Sequence, residues 1–156
     1  NLKMADVAAA LTDAGFTAVR TILASGNVLL NSSAPVDVVG ATAQAALRQQ
    51  FGYDAWVLAY ALDTVRAVVA GYPFDTGPDG YQCYVTFVSD PAVLDELAAL
   101  AGGTDEQIAR GAGVIYWRVP KGGTLDSTIG KTMGKARYKS STTTRNLRTL
   151  GKVAAG

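Results

Sequence analysis

Met4, Val7, Ala8, Leu11 and Ala14 recur at the spacing of a helix face, and Gly15 follows as a stop, so the chain is expected to open on an amphipathic helix. Val19-Arg20-Thr21-Ile22-Leu23 is rich in β-branched residues and predicts a strand, which Val28-Leu29-Leu30 resumes after Ser25-Gly26-Asn27. A small polar trio containing Gly and Asn, both tolerant of positive φ, predicts a hairpin turn there. Pro35 is placed to begin a helix, with Ser32 or Ser33 as its cap. Val36, Val39, Ala43, Ala46, Leu47 and Phe51 form its apolar stripe, and Gly52 ends it. Trp56-Val57-Leu58-Ala59-Tyr60 then predicts a strand. The first sixty residues read α-β-β-α-β.

The second half repeats this grammar loosely. Asp63 is expected to cap a short helix, and a Pro- and Gly-rich loop from Tyr72 to Gly80 follows it. Residues 81–88 alternate as a strand. Asp90-Pro91, an acidic N-cap before proline, opens a helix with Val93, Leu94, Leu97 and Leu100 on its buried side and Gly102-Gly103 at its end. Residues 106–110 and 114–119 predict a hairpin across Gly111-Ala112-Gly113. A helical stretch after Thr124 and a last helix over about residues 144–155 complete the chain.

This pattern predicts an α+β protein of two ferredoxin-like plaits, residues 1–61 and 62–156, the second carrying a basic amphipathic helix at its C-terminal end. The αββαβ order of the first unit lacks the opening strand, which is central in such a sheet. Its omission would leave unpaired backbone in the core. Roughly 10–20 further residues, a strand and a turn, are therefore expected upstream of Asn1.

Composition narrows the chemistry. Histidine is absent, which removes the usual base near neutral pH and the commonest metal ligand, and with it Ser-His-Asp and Cys-His units within one chain. A single cysteine, Cys83, excludes an internal disulfide framework. No metal site and no cofactor are expected, and no apolar run approaches the ~20 residues of a membrane span. The expected location is the cytoplasm.

Charge is distributed unevenly. Residues 127–156 hold Lys131, Lys135, Arg137, Lys139, Arg145, Arg148 and Lys152 and no acid, whereas the other half of the Lys and Arg and all thirteen Asp and Glu precede them. The formal net charge of +1 conceals halves of opposite sign, which points to an anionic partner.

Lys3-Met4-Ala5-Asp6, Gly15-Phe16, Val19-Arg20-Thr21, Ser25-Gly26-Asn27-Val28, Tyr72-Pro73-Phe74 and Thr143-Thr144-Arg145-Asn146 run through almost the whole chain in a distinctive order. On these strings the sequence resembles the bacterial domain of unknown function 1697 family (DUF1697). The resemblance implies a pair of ferredoxin-like units and, ahead of Asn1, a further strand with a glycine-rich loop. It implies no activity.

The candidate ligand-binding residues are Ser25, Gly26, Asn27, Lys131, Lys135, Thr143, Thr144, Arg145, Asn146, Arg148 and Lys152. Ser25-Gly26-Asn27 is either a plain turn or a backbone nest for an anion. On a helix over residues 144–155, Arg145, Arg148 and Lys152 would fall within about 60° of one another, opposite Leu147, Leu150, Val153 and Ala154. The threonines ahead of that helix would cap it or bind a phosphate at its N-terminus. Because both polar clusters lie at element ends, they are expected to converge, with Arg145 reaching the hairpin turn and Asn27 and Asn146 supplying amides.

Cys83 is expected as a strand residue without a base. One of Tyr116 and Trp117 could stack on a nucleic-acid base, and Asp95-Glu96 and Asp105-Glu106 read as solvated faces. The expected function is binding of a phosphate-bearing ligand, nucleic acid ahead of a free nucleotide. The alternatives are an enzyme acting on a small phosphorylated substrate, with Ser25, Asn27, Thr144, Arg145 and Asn146 as its polar residues, and a protein-interaction module using the basic helix.

Overall fold

A computed structural model of the chain describes residues 3–23, 26–52, 54–77, 79–100, 105–124 and 127–156. The described elements are six α-helices and two antiparallel sheets, in the order α1 (Met4–Asp13), β1 (Thr17–Ile22), β2 (Asn27–Asn31), α2 (Val36–Phe51), α3 (Leu62–Ala70), β3 (Tyr81–Val88), α4 (Pro91–Ala98), β4 (Gln107–Gly111), β5 (Val114–Pro120), α5 (Thr128–Met133), β6 (Thr142–Asn146) and α6 (Leu147–Ala154). A single 3-10 turn, Ala136–Tyr138, stands between α5 and β6.

The smaller sheet is the β1–β2 hairpin, with Ile22 opposite Asn27 and Thr17 opposite Asn31. Val7, Leu11, Phe16 and Ala43 form its core, where α1 and α2 meet the hairpin around Val19, Val28 and Leu30. The expected turn lies here, and Gly26 takes φ +85°, which a side chain opposes.

The larger sheet has the order β4-β5-β3-β6 with every neighbouring pair antiparallel. Helices cover both of its faces. Leu94, Leu97, Ile129 and Tyr138 pack with Ile115, Trp117 and Val119 on the α4–α5 side, and Val65, Val68 and Leu150 pack with Val85, Phe87, Val114 and Tyr116 on the α3–α6 side. Residues such as Val85, Leu97, Ile115, Val119 and Ile129 are fully buried, each stabilising the fold by roughly 1.5–3 kcal/mol relative to an exposed position.

Several local expectations hold to the residue. Asp90 caps α4 by accepting from Ala92 N at 2.9 Å, with Pro91 as the first helical residue. Gly52 closes α2 in the left-handed conformation at φ +70°. The β4–β5 hairpin turns at residues 112–113. The proposed stop at Gly102-Gly103 lies outside the described residues.

Others differ, for physical reasons. Residues 54–61 form no strand. Side chains of α2 take bonds that a neighbouring strand would supply: Gln44 Oε1 accepts from Val57 N at 3.0 Å, and Arg48 Nε donates to Ala55 O at 2.9 Å. Ser32 Oγ accepts from Ala34 N within the preceding turn, and the cap position of α2 is Pro35 itself. Ala61, not Asp63, occupies the cap of α3, and Asp63 pairs with Arg66 one turn on.

The last helix begins at Leu147, and residues 142–146 are a strand. Three consecutive β-branched threonines suit an extended backbone, and β3 offers them a partner, with Val88 opposite Thr142 and Tyr84 opposite Asn146.

Candidate anion site at the β6 seam

Because residues 142–146 are extended, successive side chains leave β6 on opposite faces. Thr144 stands opposite Thr86, and Thr143 and Arg145 stand opposite Phe87 and Val85. Thr144 therefore points to the α4–α5 side. There its hydroxyl bonds Thr86 Oγ1 at 2.7 Å, and Thr86 in turn accepts from Trp117 Nε1 at 3.0 Å, a polar chain whose Thr86 and Trp117 are buried and whose Thr144 is half-buried. Thr143 and Arg145 point to the α3–α6 side, where the β1–β2 hairpin abuts the edge of the larger sheet.

The two polar strings meet at that seam. Arg145 Nε donates to Asn27 Oδ1 at 2.7 Å, and Arg145 NH1 donates to Thr143 Oγ1 at 2.6 Å and to Thr144 O at 2.9 Å. Asn27 is held in turn by its Nδ2, which donates to Ile22 O at 3.2 Å across the hairpin. Gly26 lies against the far side of the guanidinium: a Cβ on it would stand 3.5 Å from Arg145 NH2. Ser25 lies outside the described residues.

Electrostatics sets Arg145 apart. It is half-buried, and burial pulls its pKa below the ordinary arginine value. None of the ion pairs among the described residues includes it. Its hydrogen bonds go to two neutral side chains and one carbonyl. A cation is thus held partly out of water without a carboxylate, as a clamp between β6 and β2.

The remaining candidates divide. Asn146 does not reach the seam. Its Oδ1 accepts from Arg148 N at 2.8 Å to cap α6, and its Nδ2 donates to Gln82 Oε1 at 3.3 Å. Arg148 and Lys152 are exposed on α6, whose Leu150 is buried against the α3–α6 side of the sheet. Lys131 and Lys135 are exposed on and after α5, which packs on the other side. The expected helical stripe of Arg145, Arg148 and Lys152 does not form, because Arg145 belongs to a strand.

Tyr116 and Trp117 are both buried, since helices cover both sheet faces, so neither offers a ring to a base. Asp95 pairs with Arg110 at 2.7 Å, Glu96 meets Arg137 and Tyr138, and Glu106 accepts from Thr128 N at 2.9 Å. Cys83 is half-buried in β3. Thr86 and Gln82, the partners of Thr144 and Asn146, are not among the expected site residues. Only the strand register identifies them, and no spacing in the sequence encodes it.

The chain belongs to the family described as protein of unknown function (DUF1697), whose profile matches residues 1–116. Among solved structures it is similar to a conserved bacterial protein of Streptococcus pneumoniae, SP0830, with a TM-score of 0.82 at 18% identity, over 99% of this chain and 88% of that one. At that identity the likeness concerns the fold. The curated proteins gave no match. No described helix is long and apolar enough to cross a membrane.

Proposed function

We propose that this protein binds a phosphate-bearing ligand at the β6 seam, with Arg145 as the charged donor beside the Gly26-Asn27 turn. The observation that carries the reading is a half-buried guanidinium bonded only to neutral acceptors. Such a group is stabilised by an incoming anion, and phosphate supplies one with several acceptor oxygens. Nucleic acid is the ligand class that the charge distribution favours, because residues 127–156 carry seven cations and no acid, and Lys131, Lys135, Arg148 and Lys152 are exposed. The setting is cytoplasmic.

Two finer points of architecture belong to the same proposal. The succession β3-α4-β4-β5-α5-β6 with spatial order β4-β5-β3-β6 supports a ferredoxin-like plait for residues 62–156. For residues 1–61, a related plait would seat one more strand between β2 and residues 54–61. In support, residues 58–60 have no backbone partner among the described residues.

Fluorescence anisotropy with a labelled single-stranded oligonucleotide tests the binding. Affinity should fall steeply with salt, log K against log [salt] having a slope of roughly −2 to −4 for three to five phosphates. Absence of binding at low ionic strength would refute the reading.

A further inference from the structure

An arginine carries five N–H donors. In Arg145 three are committed, one from Nε and two from NH1. The two on NH2 have no partner among the described residues, and NH2 is not among the buried polar atoms left without a bond. NH2 is therefore the guanidinium nitrogen left to meet a ligand, on a half-buried side chain of β6 beside Gly26, which lacks a side chain.

That geometry selects among phosphates. An internal phosphodiester carries one negative charge and is flanked by sugars on both sides, so it meets a nitrogen on a half-buried side chain poorly. A terminal phosphomonoester protrudes from the strand, carries about −1.5 to −2 charge at pH 7 and presents three free oxygens. Asn27 and Thr143 fix the guanidinium through Nε and NH1, which leaves the NH2 donors for a ligand. Arg148 and Lys152 are exposed on α6, against the same sheet face toward which Arg145 projects, and can meet phosphates further along.

We propose that the Arg145 seam recognises the terminal phosphomonoester of a nucleic-acid strand, with α6 contacting the internal phosphates that follow. This rests on the reading of the protein as a binder of phosphate-bearing ligands.

The test compares oligonucleotides of one sequence, about twelve nucleotides long to exceed a single-module footprint. They carry a 5′-phosphate, a 3′-phosphate or no terminal phosphate, with a mononucleotide and inorganic phosphate as competitors. The whole chain should bind one phosphorylated form about tenfold more tightly than the unphosphorylated strand. Asn27→Asp sets a carboxylate against Arg145 Nε and should abolish that difference while circular dichroism remains unchanged. The Arg148→Gln/Lys152→Gln variant should weaken all three strands alike.

Equal binding of the three strands by the wild-type protein overturns terminal recognition but leaves the binding reading standing. Failure of every strand to bind overturns both. Competition by mononucleotide as strong as by the phosphorylated strand overturns the nucleic-acid part and leaves a phosphate site.

Discussion

Arg145 is a clamp between β6 and β2, and substitution separates that role from the proposed binding of a ligand. Removing its side chain breaks the bonds to Asn27, Thr143 and Thr144, so Arg145→Ala should lower stability by about 1–2 kcal/mol in urea denaturation. Asn27→Asp keeps an acceptor at Nε but replaces the Nδ2 donor to Ile22 O, so its urea midpoint should fall by less than that of Arg145→Ala. An equal loss in both variants would show that packing, not the Arg145 bonds, holds the seam. A second residue-scale prediction concerns Thr86, whose hydroxyl links Trp117 and Thr144 in the core. Thr86→Val should cost about 1–3 kcal/mol, because it strands the buried indole N–H of Trp117 away from water. These roles were half legible. The expected meeting of the Ser-Gly-Asn and Thr-Thr-Arg-Asn strings holds at Asn27 and Arg145, but which threonine faces which way follows from strand parity. That became visible only once residues 142–146 proved extended.

Elements whose ends carry their own chemistry were the legible ones. Asp90-Pro91 specified the start of α4 because a carboxylate and a missing N–H act within one turn, and Asp90→Ala should cost about 0.5–2 kcal/mol in thermal or urea unfolding. Elements that depend on a distant partner were not legible. Thr144 to Ala155 has an apolar period of a helix, yet β3 captures its first three residues as a strand. Trp56-Val57-Leu58-Ala59-Tyr60 has strand composition, yet Val57 N donates to Gln44 and the Trp56 ring stacks under Arg48.

The loop ahead of β3 gives a pH prediction at this scale. Tyr72 donates to Trp117 O at 2.7 Å, and burial, aided by Cys83, pushes its phenol well above the ordinary value. The fold thus favours the neutral phenol, and this contribution is complete below the unfolded value of about 10 and lost as pH rises beyond it. Urea midpoints should fall above about pH 10, and the decline should be shallower in Tyr72→Phe.

At the scale of the whole molecule, folding and the proposed binding should answer differently to salt. The three ion pairs found among the described residues, Arg66–Asp63, Arg110–Asp95 and Arg137–Glu96, lie on the surface, where each contributes about 0–1 kcal/mol. Raising sodium chloride should leave the melting temperature nearly unchanged while it releases the oligonucleotide. A melting temperature that falls along with affinity would instead tie salt to the fold. The clamp at the seam also bears on how the chain assembles. Asn27 and Arg145 are separated by 118 positions, whereas β1 and β2 close over a few residues. Bringing together such distant segments carries a larger entropy loss than closing a hairpin, so their bond belongs to the late steps of folding. By the same reasoning the hairpin can part from β6 without unfolding either core, and amide exchange should find β6 opening more often than β3, its neighbour inside the sheet.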